Sequence, residues 1–546
     1  MLRFLYQEVK KHFFLESIVV VLIFASIGFN LAIPMVNREL VDEAIGKGNS
    51  ELLFSLLWVY LAVIICGEGI NFLMEYLQNK VQERISVDLY LKLFKKLLTV
   101  CPRYLQEYSE AELVNRFLID IESMKSLIAD FFITILTQSV YFIAILIVML
   151  NLSWKLTLLV LIPIIIYPLI FRLGNERIRF FTQVIRKQYD QITASLQETI
   201  RGVVEIKIYA LEEKVQTPFA QTMLTLYKTI LKSVIQNNLL KIAINSSSLM
   251  ANLLLWFYGG YLVIQKDLTL GTLWALTTYL SQLYGPIQIF ASNNFRLQRA
   301  TVALERIHRL LIMPDDYTED LTSKLWSPIT FKKELVIKNL SFSYEQGKRV
   351  FKQLSFTLHP GDRLWIKGSN GSGKTTLIKI LLGLYPDYEG SITLDGNLLS
   401  KIPLNRYREY FAYVSQHAFL FRDTIENNIG VSSPASPSSL SILSVLKDSI
   451  PFLKASMQTQ AVVVREGGSN LSGGERQLIA MARALCKQAP ILIIDEGMTN
   501  IDVQTRKKLD ELIDHEFQYK TIIRISHQDS SEGLDHYTVL DLDEKI

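Results

Sequence analysis

Long apolar runs dominate the first three-fifths of the chain, and the last two-fifths alternate short apolar strands with polar turns. Crossing a hydrocarbon core takes roughly 20 residues of helix. Six runs are long enough: 14–36, 52–77, 128–150, 154–173, 240–264 and 268–290. The third and fourth are joined by a few residues around Asn151, and the fifth and sixth around Lys266 and Asp267. That spacing predicts tight hairpins on one side. The connections on the other side are long and polar. Within them Val87, Leu91, Phe94, Leu97 and Leu98, and then Ile178, Phe181, Val184 and Ile185, recur at helical spacing. Helices two to five are therefore expected to run on beyond the bilayer, with short segments turning at their tips near 104–113 and 201–211.

Charge orients this half. Lys80, Arg84, Lys92, Lys95 and Lys96 lie in one long connection, and Arg177, Arg179, Arg186 and Lys187 in the other. Basic residues favour the cytoplasmic side, and six crossings would place both termini there. The first apolar run is too long for a signal peptide's apolar core and is read as a retained membrane helix. Glu68 falls inside the second run. A carboxylate there reads either as a substrate or proton contact or as a wet, cavity-lining group. Asn245 to Ser248, early in the fifth run, would line a polar path or bond neighbouring helices.

Composition adds little. The chain is 49% hydrophobic, with mean hydropathy +0.23 and net charge +4 from 57 basic and 53 acidic residues. No concentrated basic face emerges, so nucleic acid is not an expected partner. Cys66, Cys101 and Cys486 have no zinc or disulfide spacing and read as structural thiols.

Between 313 and 333 the period is lost in a stretch with Pro314, Asp315, Asp316, Glu319, Asp320 and Pro328. This divides an all-α membrane domain, 1–312, from an α/β nucleotide-binding domain, 334–546, with 313–333 as linker. The second domain opens its chemistry with Gly368, Ser369, Asn370, Gly371, Ser372, Gly373, Lys374, Thr375 and Thr376. They sit between an apolar strand and an apolar helix, the setting of a P-loop. The glycines let backbone N–H groups curl around phosphate, and the helix start adds positive potential. Lys374 can reach the terminal phosphates and the Thr375 hydroxyl can ligate Mg2+. A second apolar strand, 491–494, delivers Asp495 and Glu496. Asp495 is placed at the metal, and Glu496 is the candidate base for an attacking water.

Leu471-Ser472-Gly473-Gly474-Glu475-Arg476-Gln477 lies between these two motifs. With it the chain resembles the ABC ATPase family, and more closely an exporter-type half-transporter of the type IV fold. Glu198 to Gly202 with Ile206-Lys207, and Gly271, Pro286, Arg299 and Arg306-Ile307, carry the likeness through the membrane half. The resemblance implies a P-loop ABC ATPase domain with a helical subdomain, fused to six membrane helices with cytoplasmic extensions. It assigns Ser472, Gly473, Gly474 and Glu475 to the ATP of an opposite subunit. Tyr344 would stack on adenine, Gln416 would touch Mg2+ and the attacking water, and His527 would sense the γ-phosphate. Glu466 and Asp502 would couple ATPase to membrane loops and partner.

Departures from the family pattern are Glu475 for the usual glutamine, and Gly497-Met498-Thr499-Asn500 after the base. A carboxylate near phosphate is expected to weaken binding unless it turns away. The family's C-terminal helices and a preceding peptidase domain are not expected here. One P-loop and one signature per chain imply a dimer, either a homodimer or a heterodimer with another chain. The implied activity is ATP-driven export or flipping of an amphipathic peptide, lipid or drug-like compound across a bacterial inner or plasma membrane. An ATP-gated channel and a nucleotide-binding regulatory subunit are the alternatives.

Overall fold

The computed structural model describes residues 13–125, 132–316, 331–344, 349–431, 437–458, 463–525 and 536–543. It divides into two compact units. One comprises residues up to Phe94 together with Ala111–Leu311; the other comprises Lys95–Glu110 together with Ile312 onward.

The first unit is helical. Its main helices are α1 (Phe13–Glu39), α2 (Ser50–Thr99), α3 (Phe132–Arg201), α4 (Val203–Ile208), α5 (Glu212–Ile264) and α6 (Leu270–Ile312). The last turn of α2 belongs to the second unit. Among the described residues four stretches are long and apolar enough to cross a membrane: Phe13–Ile45, Ser50–Thr99, Ile133–Ile166 and Glu212–Ile264. The expected runs 128–150 and 154–173 fall in α3, apart from 128–131, which lie outside the described residues. Helical geometry breaks there at Ser153, with φ −163° and ψ 100°. Thr157 Oγ1 donates to Met149 O at 2.8 Å. Eight residues of straight helix span about 12 Å, so the chain folds back on itself at this break. Ile145, Met149, Leu156 and Val160 then share one core with Leu255, Leu276, Tyr279 and Leu283. Tyr279 Oη donates to Leu31 O at 2.5 Å, which ties α6 to α1.

Close approach of α6 to α5 and to the end of α1 depends on small residues. A Cβ on Gly259 would strike Leu273, and one on Gly271 would lie 2.5 Å from Arg38 O. Asp42 accepts from Gly271 N at 2.7 Å and from Thr269 Oγ1 at 2.5 Å, supplying acceptors at the start of α6. Ser247 Oγ donates to Pro163 O at 2.8 Å, so this member of the polar cluster in the fifth run bonds a neighbouring helix segment. Glu68 is exposed on α2.

The second unit has two sheets. An antiparallel sheet of order β2-β1-β4-β5 uses β1 (Leu335–Ser343), β2 (Arg349–Leu358), β4 (Glu389–Leu394) and β5 (Asn397–Leu398). A parallel sheet of order β6-β7-β8-β3-β9 uses β3 (Arg363–Lys367), β6 (Phe411–Val414), β7 (Ile491–Asp495), β8 (Thr521–Ile525) and β9 (Thr538–Asp541). Parallel strands are covered on both faces, which explains their nearly unbroken apolar sequence. Three helices matter most: α7 (Lys374–Leu381), α8 (Gly473–Cys486) and α9 (Val503–Glu516).

Side chains alternate across the parallel sheet. Ile491, Ile493, Ile523, Leu364 and Ile366 face a core shared with Leu377, Ile378 and Leu381 of α7. Leu492, Ile494, Ile522 and Trp365 face a different core, shared with Leu478, Ile479 and Met481 of α8. The P-loop helix and the signature helix therefore pack on opposite faces of one sheet.

Residues 95–110 pack into this second unit. Lys96 Nζ and Thr99 Oγ1 donate to Asp315 Oδ1 at 2.7 and 2.8 Å. After the short helix Pro102–Leu105, Tyr385 Oη donates to Gln106 Oε1 at 2.8 Å, and Arg103 pairs with Asp387. Most of the expected linker, 317–330, lies outside the described residues.

Candidate functional site

In open parallel sheets ligands bind beyond the carboxyl ends of the strands. Here β3 runs into the loop 368–373, β7 ends on Asp495 and Glu496, and β6 leads to Gln416. The loop conformation depends on glycine: Gly371 and Gly373 have φ +88° and +93°, a region L side chains rarely enter. A Cβ on Gly373 would also strike Val350. Lys374 Nζ donates to Gly368 O at 2.7 Å and Ser369 O at 2.9 Å, bracing the loop from inside. Burial lowers the Lys374 pKa, while the charges of Glu496, Asp543 and Asp495 work to raise it. Asp495, Glu496 and Asp543 are close enough to Lys374 to act on it electrostatically. Asp543 accepts from Ser369 N at 2.7 Å and from Ser369 Oγ at 2.8 Å.

The site fits a phosphate and a divalent cation. Among the described residues Ser372 Oγ, which is buried, has no hydrogen-bond partner, and it sits in a loop built of backbone donors. Thr375 is exposed on the first turn of α7. Asp495 is 3% exposed, and burial raises its pKa, opposed by the hydrogen bond from Tyr413. A cation at this carboxylate would offset that desolvation. Tyr413 Oη donates to Asp495 Oδ2 at 3.2 Å. Sequence reading missed Tyr413, because strand pairing and not local sequence gives it its partner. Tyr413 pairs with Ile493 in register, and Asp495 shares that face two residues on.

Glu496 sits at φ +50°, in left-handed backbone. Gln416 Nε2 donates to Glu496 Oε2 at 2.7 Å, so two expected catalytic residues meet directly. Tyr344 Oη hydrogen-bonds Thr376 Oγ1 at 2.8 Å, and its ring meets Phe342 and Tyr385 edge-on. It remains 41% exposed, which leaves ring surface for a planar base. His527 lies outside the described residues.

The signature turn is a helix start. Ser472 caps α8: its Oγ accepts from Glu475 N at 3.2 Å, while Glu475 Oε2 accepts from Ser472 N at 2.7 Å. This reciprocal capping box turns the unexpected carboxylate back onto its own backbone. A Cβ on Gly474 would lie 2.6 Å from Asn500 O, so the substituted 497–500 segment seats directly on this turn. Arg483, also unforeseen, donates to Asn428 O at 2.7 Å and Phe419 O at 2.9 Å. It fastens α8 to the segment after Gln416. Glu466 is exposed in a short 3-10 turn ahead of the signature. Asp502 is exposed and caps α9, accepting from Thr505 N at 2.9 Å.

Comparison with known proteins agrees with this geometry. The profile of the ABC transporter transmembrane region matches residues 17–287, and that of the ABC transporter family matches residues 351–499. An ATP-dependent lipid A-core flippase of Syntrophus aciditrophicus is 27% identical over 90% of this chain and 81% of its own length. An uncharacterized ABC transporter ATP-binding protein of Bacillus subtilis, YknV, is 26% identical over 94% and 86%. Among solved structures, a bacterial Atm1-family ABC exporter with ATP bound aligns over 98% of this chain and 94% of that one. Its TM-score is 0.78 at 23% identity, which establishes a shared fold.

Proposed function

The chain belongs to the ABC transporter superfamily and is an ATPase coupled to transmembrane transport, and we propose that it exports or flips an amphipathic, lipid-like substrate as a homodimer. Support for the substrate class comes from the flippases among its relatives. Six crossings are inferred from α1, α2, the two arms of α3, α5 and α6, with the ATPase unit cytoplasmic in a bacterial inner membrane.

The observation that carries the dimeric reading is the placement of α7 and α8 on opposite faces of one sheet. A second helix start can close over a phosphate bound at the start of α7. A partner copy supplies that through Ser472, Gly473 and Gly474. Within each site the backbone of residues 369–375 and Lys374 hold the phosphates, and Tyr344 backs the base. Thr375, Asp495 and Gln416 would hold Mg2+, which when bound neutralises charge developing on the transferred phosphoryl group. Glu496 takes the proton of the attacking water, and Gln416 orients its carboxylate. By its resemblance to the family, His527 would sense the γ-phosphate. Closure is passed to the membrane helices through residues 104–113 and 201–211, with Glu466 and Asp502 on the coupling surface. Glu68 is the candidate contact on the substrate path, the alternative being a wet, cavity-lining carboxylate.

The test is vectorial. In proteoliposomes holding the purified chain, a fluorescent lipid should change leaflet only with MgATP, and added substrate lipid should raise the ATPase rate. ATP turnover with no lipid movement, and no stimulation by any lipid, would remove the substrate assignment while leaving the ATPase.

A further inference from the structure

We propose that Gln477 is a positioning residue that locks the signature helix to the two loops holding the catalytic carboxylate. The inference rests on reading Glu496 as the general base. Gln477 is 2% exposed in α8. A buried amide brings two donors and a carbonyl, each costly if left unpaired. All are used on functional loops. Its Oε1 accepts from Asn500 N at 2.9 Å. Its Nε2 donates to Thr499 Oγ1 at 3.3 Å and to Gln416 O at 3.4 Å.

Both donor contacts continue to Glu496. Thr499 Oγ1 donates to Glu496 O at 3.1 Å, and Thr499 N to the same carbonyl at 3.3 Å. Gln416 Nε2 donates to the Glu496 carboxylate at 2.7 Å. One amide thus reaches the base twice, through its backbone and through its side chain. Glu496 needs such support, because its left-handed backbone at φ +50° is strained in a residue with a side chain. The tie is also stiff. The start of α8 and the 497–500 loop meet in backbone contact at Gly474 and Asn500. When α8 is drawn toward a phosphate, Glu496 and Gln416 are carried with it. The base is aimed only when the signature helix is engaged. A misplacement of about 1 Å in such a group can cost roughly a hundredfold in rate.

The test uses the full chain in lipid nanodiscs. Gln477→Met keeps the length and removes all three hydrogen bonds. Its kcat for ATP should fall about tenfold or more, with KM and the binding constant for ATP within about twofold. Amide exchange at Asn500 should quicken. Gln477→Glu keeps the acceptor for Asn500 but loses both donors, so it should not restore kcat. Thr499→Val, at an exposed position, decides the matter even if the buried variants fold poorly. It should lower kcat several-fold at unchanged KM. The double variant should be no slower than Gln477→Met, because the two share a route. Rates within about twofold of the parent in the variants that fold, whatever their melting temperatures, would make Gln477 ordinary core. A KM that rises in step with the loss would place its action on the nucleotide instead. Either result overturns the proposal. Undiminished hydrolysis by Glu496→Gln is a different failure, and removes the base on which the inference stands.

Discussion

Gln416 Nε2 lies 2.7 Å from Glu496 Oε2, joining residues 80 positions apart in sequence across the ends of neighbouring strands β6 and β7. The contact fixes one carboxylate oxygen of the candidate base. Glu496→Gln should therefore retain ATP binding while hydrolysis falls by about 10²-fold or more. Equilibrium binding of labelled ATP and phosphate release, measured side by side, check this. Gln416→Ala should lower kcat less, since the carboxylate itself survives.

The capping box makes a contrary prediction for Glu475. Its carboxylate accepts from Ser472 N at 2.7 Å, and a glutamine carbonyl can do the same. Glu475→Gln should leave ATP affinity and turnover within about twofold. Glu475→Ala should lose that bond and destabilise the start of α8 by about 1 kcal/mol. Thermal unfolding and ATPase assays separate the two variants.

Asp502 gives a pH signature. Backbone and side-chain hydrogen bonds at Thr505 lower its pKa below the ordinary 3.8. A carboxylate with a depressed folded pKa stabilises fully above its unfolded value and loses that contribution as pH falls through the folded one. Amide exchange in the first turn of α9 should stay slow down to about pH 4 and quicken below it. Asp502→Ala should exchange quickly throughout.

Lys520 behaves in the opposite sense. Burial pushes its pKa down from 10.5 to about 8, so between those values the unfolded chain binds more protons than the folded one. Stability therefore rises with pH across that window, and the charged amine is a net cost at pH 7. The ring of Phe517, 4.8 Å away, offsets part of it. Lys520→Met should raise the melting temperature at pH 7, with the gain shrinking toward pH 10. Calorimetry at several pH values reads this directly.

The P-loop was legible because phosphate binding demands contiguous backbone donors, and these lie in one run from Gly368 to Thr375. Asp495-Glu496 was legible for a different reason, because two acids at the end of one apolar strand are adjacent in sequence, and the signature turn is likewise one contiguous run. Glu475 shows the limit of such reading. The Ser-x-x-Glu spacing is itself a capping signal, yet the residue was weighed as a charge near phosphate. Tyr413 and Gln477 were not legible as functional. A tyrosine in a strand and a glutamine in an apolar helix acquire their partners only when distant segments are brought together.

The sequence by itself determined the helices, the strands and the loops that carry chemistry, because apolar periodicity and short-range backbone requirements are local. Only the tertiary structure decided that α7 and α8 share a sheet from opposite faces, that residues 95–110 pack with the ATPase unit, and that one buried amide reaches Glu496 by two routes. Those outcomes depend on which side of a strand each residue meets and on unpaired polar groups finding partners across tens of residues, and neither is written in any single stretch of chain.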